Sequence, residues 1–432
     1  MKKIIKAIVI VLICLIYGVG CDILPSISFI GSTSSSSNIT NNEVIEGCQK
    51  TSESNSSQLK TSSIAIKLAK KVSDIFDIAR KSTAQVTACY LIDDKEYETQ
   101  ASGFVIGKSE EVNQENEYTY YLATNASRIF YRYLKSVGTV PNVNTDTIQV
   151  RDGQFEISFD DGRRYIASYF GAYITADIAV LKFESEDIIE PLKIGDSNNL
   201  KVGEQVVAIG TPLSSTNLIN SCISGTISGL ERDTDIMFNG TYQGTPYSYE
   251  IASYMTFQMD IPTNRGMEGG PVLNTEGEVI GMTSYKYSGS SNYESISFAI
   301  GISEVYNVAS QIIKNGEYVK PIFGITVADA KHYINEPSLA WISEYDLYDS
   351  LLIVPSSIGG SDTIAAGYPA YNAGMKDGEV IVKMVINDIE HKVTSSAALS
   401  SKILQLKKGD VVKVITINSS NNSTTYTLDL WS

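Results

Sequence analysis

Between residues 84 and about 301, apolar and polar positions alternate in short runs separated by turn residues. The runs 87–92, 102–106, 119–122, 155–159, 178–183, 205–209, 222–227, 279–283 and 296–300 stand out in this way. Successive side chains of a strand point to opposite faces, so this period predicts strands with one face inward. Many short strands with turns between them predict an all-β sandwich or barrel. On both sides the period becomes helical. Ile66, Ala69, Val72, Ile75, Phe76 and Ala79 recur at helical spacing over 64–80, and 303–314 reads as a closing helix stopped by Asn315-Gly316. The last stretch is mixed, with strands expected at 322–327, 351–355, 380–385, 410–417 and 424–430, and helices at 370–374 and 397–406. A compact α+β module fits that order.

The N-terminal portion follows neither period. Lys2, Lys3 and Lys6 precede an apolar run over residues 7–17, too short for a confident membrane span. It ends in Gly18-Val19-Gly20-Cys21, small residues before a cysteine, which resemble a bacterial lipobox. Gly18 departs from the aliphatic residue usual there. The expectation is a lipoprotein-type signal over 1–21 with Cys21 lipidated; a plain secretory signal and an uncleaved anchor are the other readings. Residues 22–63 are rich in Ser, Asn and Thr, cannot bury a core, and are expected to form a flexible tether.

At 432 residues the chain has room for two domains besides leader and tether. Its formal net charge of −15 argues against nucleic acid, whose binders neutralise phosphates with basic patches. Cys14, Cys21, Cys48, Cys89 and Cys222 form no CxxC pair and have no histidine partner, so neither metal nor cofactor is expected. A Cys48–Cys89 disulfide is open, and buried free thiols are the plainer reading of Cys89 and Cys222.

Four segments, in order, carry a resemblance. They are Leu122-Ala123-Thr124-Asn125-Ala126-Ser127-Arg128-Ile129, then Thr175-Ala176-Asp177-Ile178-Ala179-Val180-Leu181-Lys182, then Leu192-Lys193-Ile194-Gly195-Asp196-Ser197 with Val202-Gly203 and Ala208-Ile209-Gly210-Thr211-Pro212, and last Gly266-Met267-Glu268-Gly269-Gly270-Pro271. Together they resemble the trypsin-fold serine proteases of the HtrA/DegP type, which implies a mainly β fold, a chymotrypsin/trypsin-like double β-barrel. The family's triad then falls on Ser127 for the histidine, Asp177 for the aspartate and Glu268 for the serine.

Serine attack needs a hydroxyl, a base that takes its proton and an acid that orients the base. Asp177 matches the orienting acid. Ser127 has no useful proton affinity near neutral pH. A carboxylate such as Glu268 attacking an amide would give an anhydride, a poor route to hydrolysis. The chain's two histidines, His332 and His391, lie beyond this region. The oxyanion hole, however, is built from backbone N–H groups, and the matching donors are Gly266 and Glu268. Either the Glu268 carboxylate or a ligand's rests on them, or Glu268 is merely a tolerated polar residue at a disused rim.

The C-terminal stretch resembles a PDZ domain. Pro321-Ile322-Phe323-Gly324-Ile325 is similar to the carboxylate-binding loop, and Pro369-Ala370-Tyr371-Asn372-Ala373-Gly374-Met375-Lys376-Asp377-Gly378-Glu379-Val380-Ile381 to a second PDZ signature. The resemblance assigns peptide binding to Ile322, Phe323, Gly324 and Ile325, by strand addition and capture of a terminal carboxylate. The expected organisation is therefore a protease-like domain over 64–316 and an α+β PDZ domain over 317–432. Residues 328–350 and 356–366 read as insertions around the groove. The leading expectation is a membrane lipoprotein facing outward, a pseudoprotease that binds unfolded proteins or peptide C-termini, with a homotrimer possible by family analogy. The alternatives are an active serine endopeptidase in envelope protein quality control and a structural or adhesive lipoprotein.

Overall fold

The structure is a computed structural model that describes residues 70–92, 95–129, 134–137, 140–143, 155–212, 218–242, 245–284, 295–359 and 363–431. The signal, Cys21, the tether and Cys48 therefore lie outside the described residues, as do residues 64–69 of the expected first helix. A compact unit spans residues 66–432.

Two closed barrels of six strands each come first. In chain order β1 is Thr83–Ile92, β2 Lys95–Val112, β3 Tyr118–Thr124, β4 Leu134–Val137, β5 Val140–Val143, β6 Phe155–Ser158, β7 Arg164–Tyr173 and β8 Ile178–Ser185. The first barrel closes in the order β1-β2-β3-β8-β7-β6, while β4 and β5 form a separate hairpin. Then follow β9 Gln205–Gly210, β10 Ser221–Tyr242, β11 Thr245–Met259, β12 Pro271–Leu273, β13 Val279–Thr283 and β14 Ser297–Gly301. The second barrel closes as β10-β11-β14-β13-β12-β9. Closure leaves no free edge, and the inward alternate residues fill each interior. Val105, Tyr120, Leu122, Phe155, Ile157 and Leu181 pack inside the first, and Val206, Ala208, Met259, Val272 and Ile280 inside the second.

The nine strands read from alternation are all present, and the barrel architecture agrees with the expected fold class. β7, β11 and the three-residue β12 carried too little alternation to be seen. In β7 only Ala167 and Gly171 are fully buried, so its outward face is mixed and no period emerges. Helix Val72–Ala79 buries Ile75 and Ala79 against the barrels. Helix Ile302–Asn315 packs on both barrels and ends at Gly316, whose left-handed backbone (φ +84°) turns its N–H onto the Ile312 carbonyl.

A third sheet of six strands follows: β15 Val327–Asp329, β16 Leu351–Ile353, β17 Val380–Ile386, β18 Ile389–Lys392, β19 Val412–Ile417 and β20 Ser423–Leu428. The expected strand at 322–327 is instead mostly loop, with regular pairing beginning at Val327. Helix Ser396–Gln405 starts where Ser395 accepts the Ala398 N–H at 3.1 Å. Residues 328–350, expected as an insertion, fold into short helices. Their Ala330, Leu339, Trp341 and Ile342 bury a small satellite core against Leu352 and Val380. Burial of that apolar cluster holds the segment as a packed cap.

Candidate functional site

The cleft between the barrels gathers the expected triad positions. Asp177 sits at the turn into β8 with a left-handed backbone (φ +58°), a conformation Asp tolerates better than most residues. Its carbonyl is held by the Ala126 N–H at 3.2 Å and the Asn125 side chain at 3.1 Å. Its carboxylate accepts the Ser127 N–H at 2.6 Å, and Tyr254 Oη lies 3.4 Å away on the other oxygen. Tyr254 in turn shares a 2.6 Å hydrogen bond with Ser284. Asp177 is only 2% exposed, and burial pushes its pKa up to about 6 although Ser127, Arg128 and Tyr254 favour the charged form. Burial, together with the Asp177 charge, drives the Tyr254 hydroxyl well above its ordinary range.

The loop at the nucleophile position is firmly seated. Ser102 donates its N–H to the Glu268 carbonyl at 2.8 Å and its hydroxyl to the Gly266 carbonyl at 2.8 Å. From β13, Thr283 takes the Gly269 N–H at 2.9 Å and caps the Met267 carbonyl at 2.5 Å. Gly269 has φ +87°, and a Cβ there would lie 2.2 Å from the Ser102 carbonyl oxygen. Only glycine satisfies both demands.

Glu268 is not at a solvated rim. It is 7% exposed, and its Oε2 accepts the Gly266 N–H at 2.5 Å. Its Oε1 lies 3.3 Å from Arg128 Nη2, whose side chain is 26% exposed. The carboxylate thus occupies a donor that would face a developing oxyanion, with a guanidinium as counter-charge. Beside this pair a cavity of about 320–330 Å³ is lined by Glu98, Thr99, Gln100, Ser127, Arg128, Arg265 and Gly266. No imidazole enters this site: His332 lies on the short helix Ala330–Tyr333 and His391 on β18. Lys286, the lysine nearest the loop in sequence and so the candidate base for a Ser-Lys dyad, lies outside the described residues. Among the described residues no cluster of His, Cys, Asp or Glu could hold a metal.

Sequence reasoning missed Arg128, Tyr254 and Ser284. Arg128 left a trace, because it is a charged residue in the segment that resembles the protease family, opposite in charge to the carboxylate at the nucleophile position. Tyr254 left none; it reaches Asp177 from 77 residues away.

A second candidate site runs beside β15. Ile322, Phe323, Gly324 and Ile325 line one end of a groove of about 460 Å³, with Tyr368 there and Leu399 and Ile403 of helix Ser396–Gln405 opposite. Phe323 is buried in the module's core and Ile322 is exposed. The loop's carbonyls are engaged: Phe323 accepts Ala370 N–H at 3.0 Å and Gly324 accepts Ala365 N–H at 2.8 Å. Among the described residues, the N–H groups of Ile322 to Ile325 meet no acceptor. Thr326 uses its N–H on Thr363 and its carbonyl on Val354, both on one edge. Strand alternation therefore turns the backbone of Ile325 and Val327 to the other edge, toward the groove.

Two closed six-stranded barrels with a buried acid and a glycine-rich loop in the cleft between them define a trypsin-like peptidase body. The sequence profile of the trypsin-like peptidase domain matches residues 101–282. The chain is 30% identical over 300 residues to the serine protease Do-like HtrA of Lactococcus lactis subsp. lactis, covering 68% of this chain and 67% of that protein. It is also 30% identical over 272 residues to the serine protease Do-like HtrB of Bacillus subtilis, covering 62% of this chain and about half (54%) of that protein. The solved HtrA-type protease AlgW with tripeptide superposes with a TM-score of 0.54 at 19% identity, over 83% of this chain and 96% of AlgW, a likeness of fold. The chain belongs to the Do-like HtrA serine protease family.

Proposed function

We propose that this HtrA relative is a pseudoprotease: an exported lipoprotein held at the membrane through Cys21, whose barrels keep the protease shape and whose C-terminal PDZ module captures C-terminal carboxylates of unfolded chains. The observation that carries the reading is the Glu268 carboxylate on the Gly266 N–H, paired with Arg128. An internal anion fills the place of the oxyanion, and the side chain beside Asp177 that should accept a proton is Ser127. Loss of the nucleophile or the base in a serine protease lowers turnover on the order of 10⁶-fold.

Capture of a peptide terminus rests on the groove. Four backbone N–H groups without acceptors among the described residues are available to a carboxylate, and the edge of Ile325 and Val327 can take an extended strand. Phe323, Leu399 and Ile403 offer apolar contact for the terminal side chain. Export is supported by a relative from Halomonas elongata described as a probable periplasmic endoprotease; among the described residues no helix is long and apolar enough to cross a membrane.

Two experiments on the purified chain test this. A fluorophosphonate probe, which phosphonylates activated serines with loss of fluoride, is expected to leave it unlabelled; labelling at a serine would favour the active endopeptidase. Fluorescence anisotropy with an unfolded-type decapeptide should show binding as the free acid and roughly tenfold weaker binding as the C-terminal amide. Equal affinity for acid and amide, or none for either, would favour a purely structural lipoprotein.

A further inference from the structure

Helix Ile302–Asn315 packs on both barrels, and helix Ser396–Gln405 lies against it. The seam between them contains Glu304, which is 7% exposed. Its Oε1 accepts Ser401 Oγ at 2.5 Å and Gln405 Nε2 at 2.8 Å. Its Oε2 is buried with no hydrogen-bond partner among the described residues. Three residues on, Asn307 donates to the Leu404 and Leu406 carbonyls at 2.6 and 3.2 Å. One turn of the barrel's helix thus grips the helix whose other face lines the groove.

The two grips differ in kind. The amide of Asn307 is insensitive to pH. The carboxyl of Glu304 is not, and an ionised carboxylate with a bare buried oxygen is costly. Next to it lies a cavity of about 320 Å³ with Leu200, Leu230, Met255 and Phe257 on the barrel side. The charges around that cavity are Lys392 and Lys402 from the C-terminal module and Glu231 from β10. The start of its own helix favours the anion. Burial outweighs Ser401, Gln405, the residue's own N–H and Lys402, and holds the carboxyl above the ordinary range.

We propose that Glu304 is a protonation-controlled latch on the seam: a neutral carboxyl keeps the groove-lining helix seated on the barrel, and loss of the proton to solvent draws water or the Lys402 ammonium toward Oε2 and loosens that contact while Asn307 holds. Because the folded pKa is raised, the seam is tightest at low pH and loosens as pH rises through it. The latch stands on the seam and is independent of whether the active site is silent.

Hydrogen exchange of the Ser401, Lys402 and Ile403 amides in the full chain, corrected for intrinsic rates, reads the seam directly. From about pH 5 to about pH 8, protection should fall roughly threefold or more in the native chain and stay level in Glu304→Gln. Parallel profiles in the two proteins would overturn the latch. Should Glu304→Gln misfold, carbon-13 titration of the Glu304 carboxyl in the native chain decides: a midpoint above the usual glutamate range supports the latch, and an ordinary midpoint overturns it.

Discussion

The charge reversal of chemistry at this site is carried by two side chains. Serine and histidine chemistry needs a nucleophile and a base; Glu268 and Arg128 instead form an ion pair that neutralises itself across the cleft. Removing one partner leaves the other charge in a partly dry site. Arg128→Ala should therefore lower stability by about 1–2 kcal/mol, less than for a fully buried pair because Arg128 is partly solvated. Adding Glu268→Gln should recover part of the loss, and a double-mutant cycle by urea unfolding measures that coupling. Asp177 gives a separate signature. Its folded pKa of about 6 exceeds the ordinary aspartate value of 3.8, so the unfolded chain gives up its proton first. Its contribution to stability is full below about pH 4 and is lost as pH rises to about 6, a swing of about 3 kcal/mol. Asp177→Asn should flatten that part of the stability profile measured by denaturant at several pH values.

At the scale of elements, the loop 266–270 is held by backbone geometry as much as by side chains. Gly269→Ala places a Cβ against the Ser102 carbonyl at positive φ, and is expected to cost more than about 3 kcal/mol or prevent folding. Thermal unfolding checks it, with Gly162→Ala, which meets nothing within 4 Å, as a matched positive-φ control. Nine of the twelve barrel strands were legible in the sequence because alternation over a single strand is a local pattern, and the loop was legible through its resemblance to the protease family. Asp177 was singled out only through the resemblance of the segment 175–182 to the protease family. The Arg128–Glu268 pair and the Tyr254–Asp177 contact were not, since each joins segments far apart in the chain. The start of the strand after Gly324 was misjudged because its apolar run, 322–325, serves a loop whose carbonyls are tied to Ala365 and Ala370. The satellite core of Leu339, Trp341 and Ile342 was also illegible, because short helices within an insertion show no sustained period.

At the scale of the whole molecule, family membership and site chemistry point in different directions. Fold does not fix function; function lies in the site. The barrels, the seated loop and the aspartate are those of a peptidase body, whereas the residues at the reacting positions are Ser127 and Glu268. The groove beside β15 keeps its unpaired donors, so the account assigns the working surface to the C-terminal module. The central claim is that the scaffold is intact and only the reactive groups are missing. Degradation of unfolded casein by the native chain, beside a Glu268→Ser/Ser127→His double variant, tests it most directly. The account predicts no cleavage by the native chain and measurable cleavage by the double variant. Native cleavage that disappears in Asp177→Ala would contradict it.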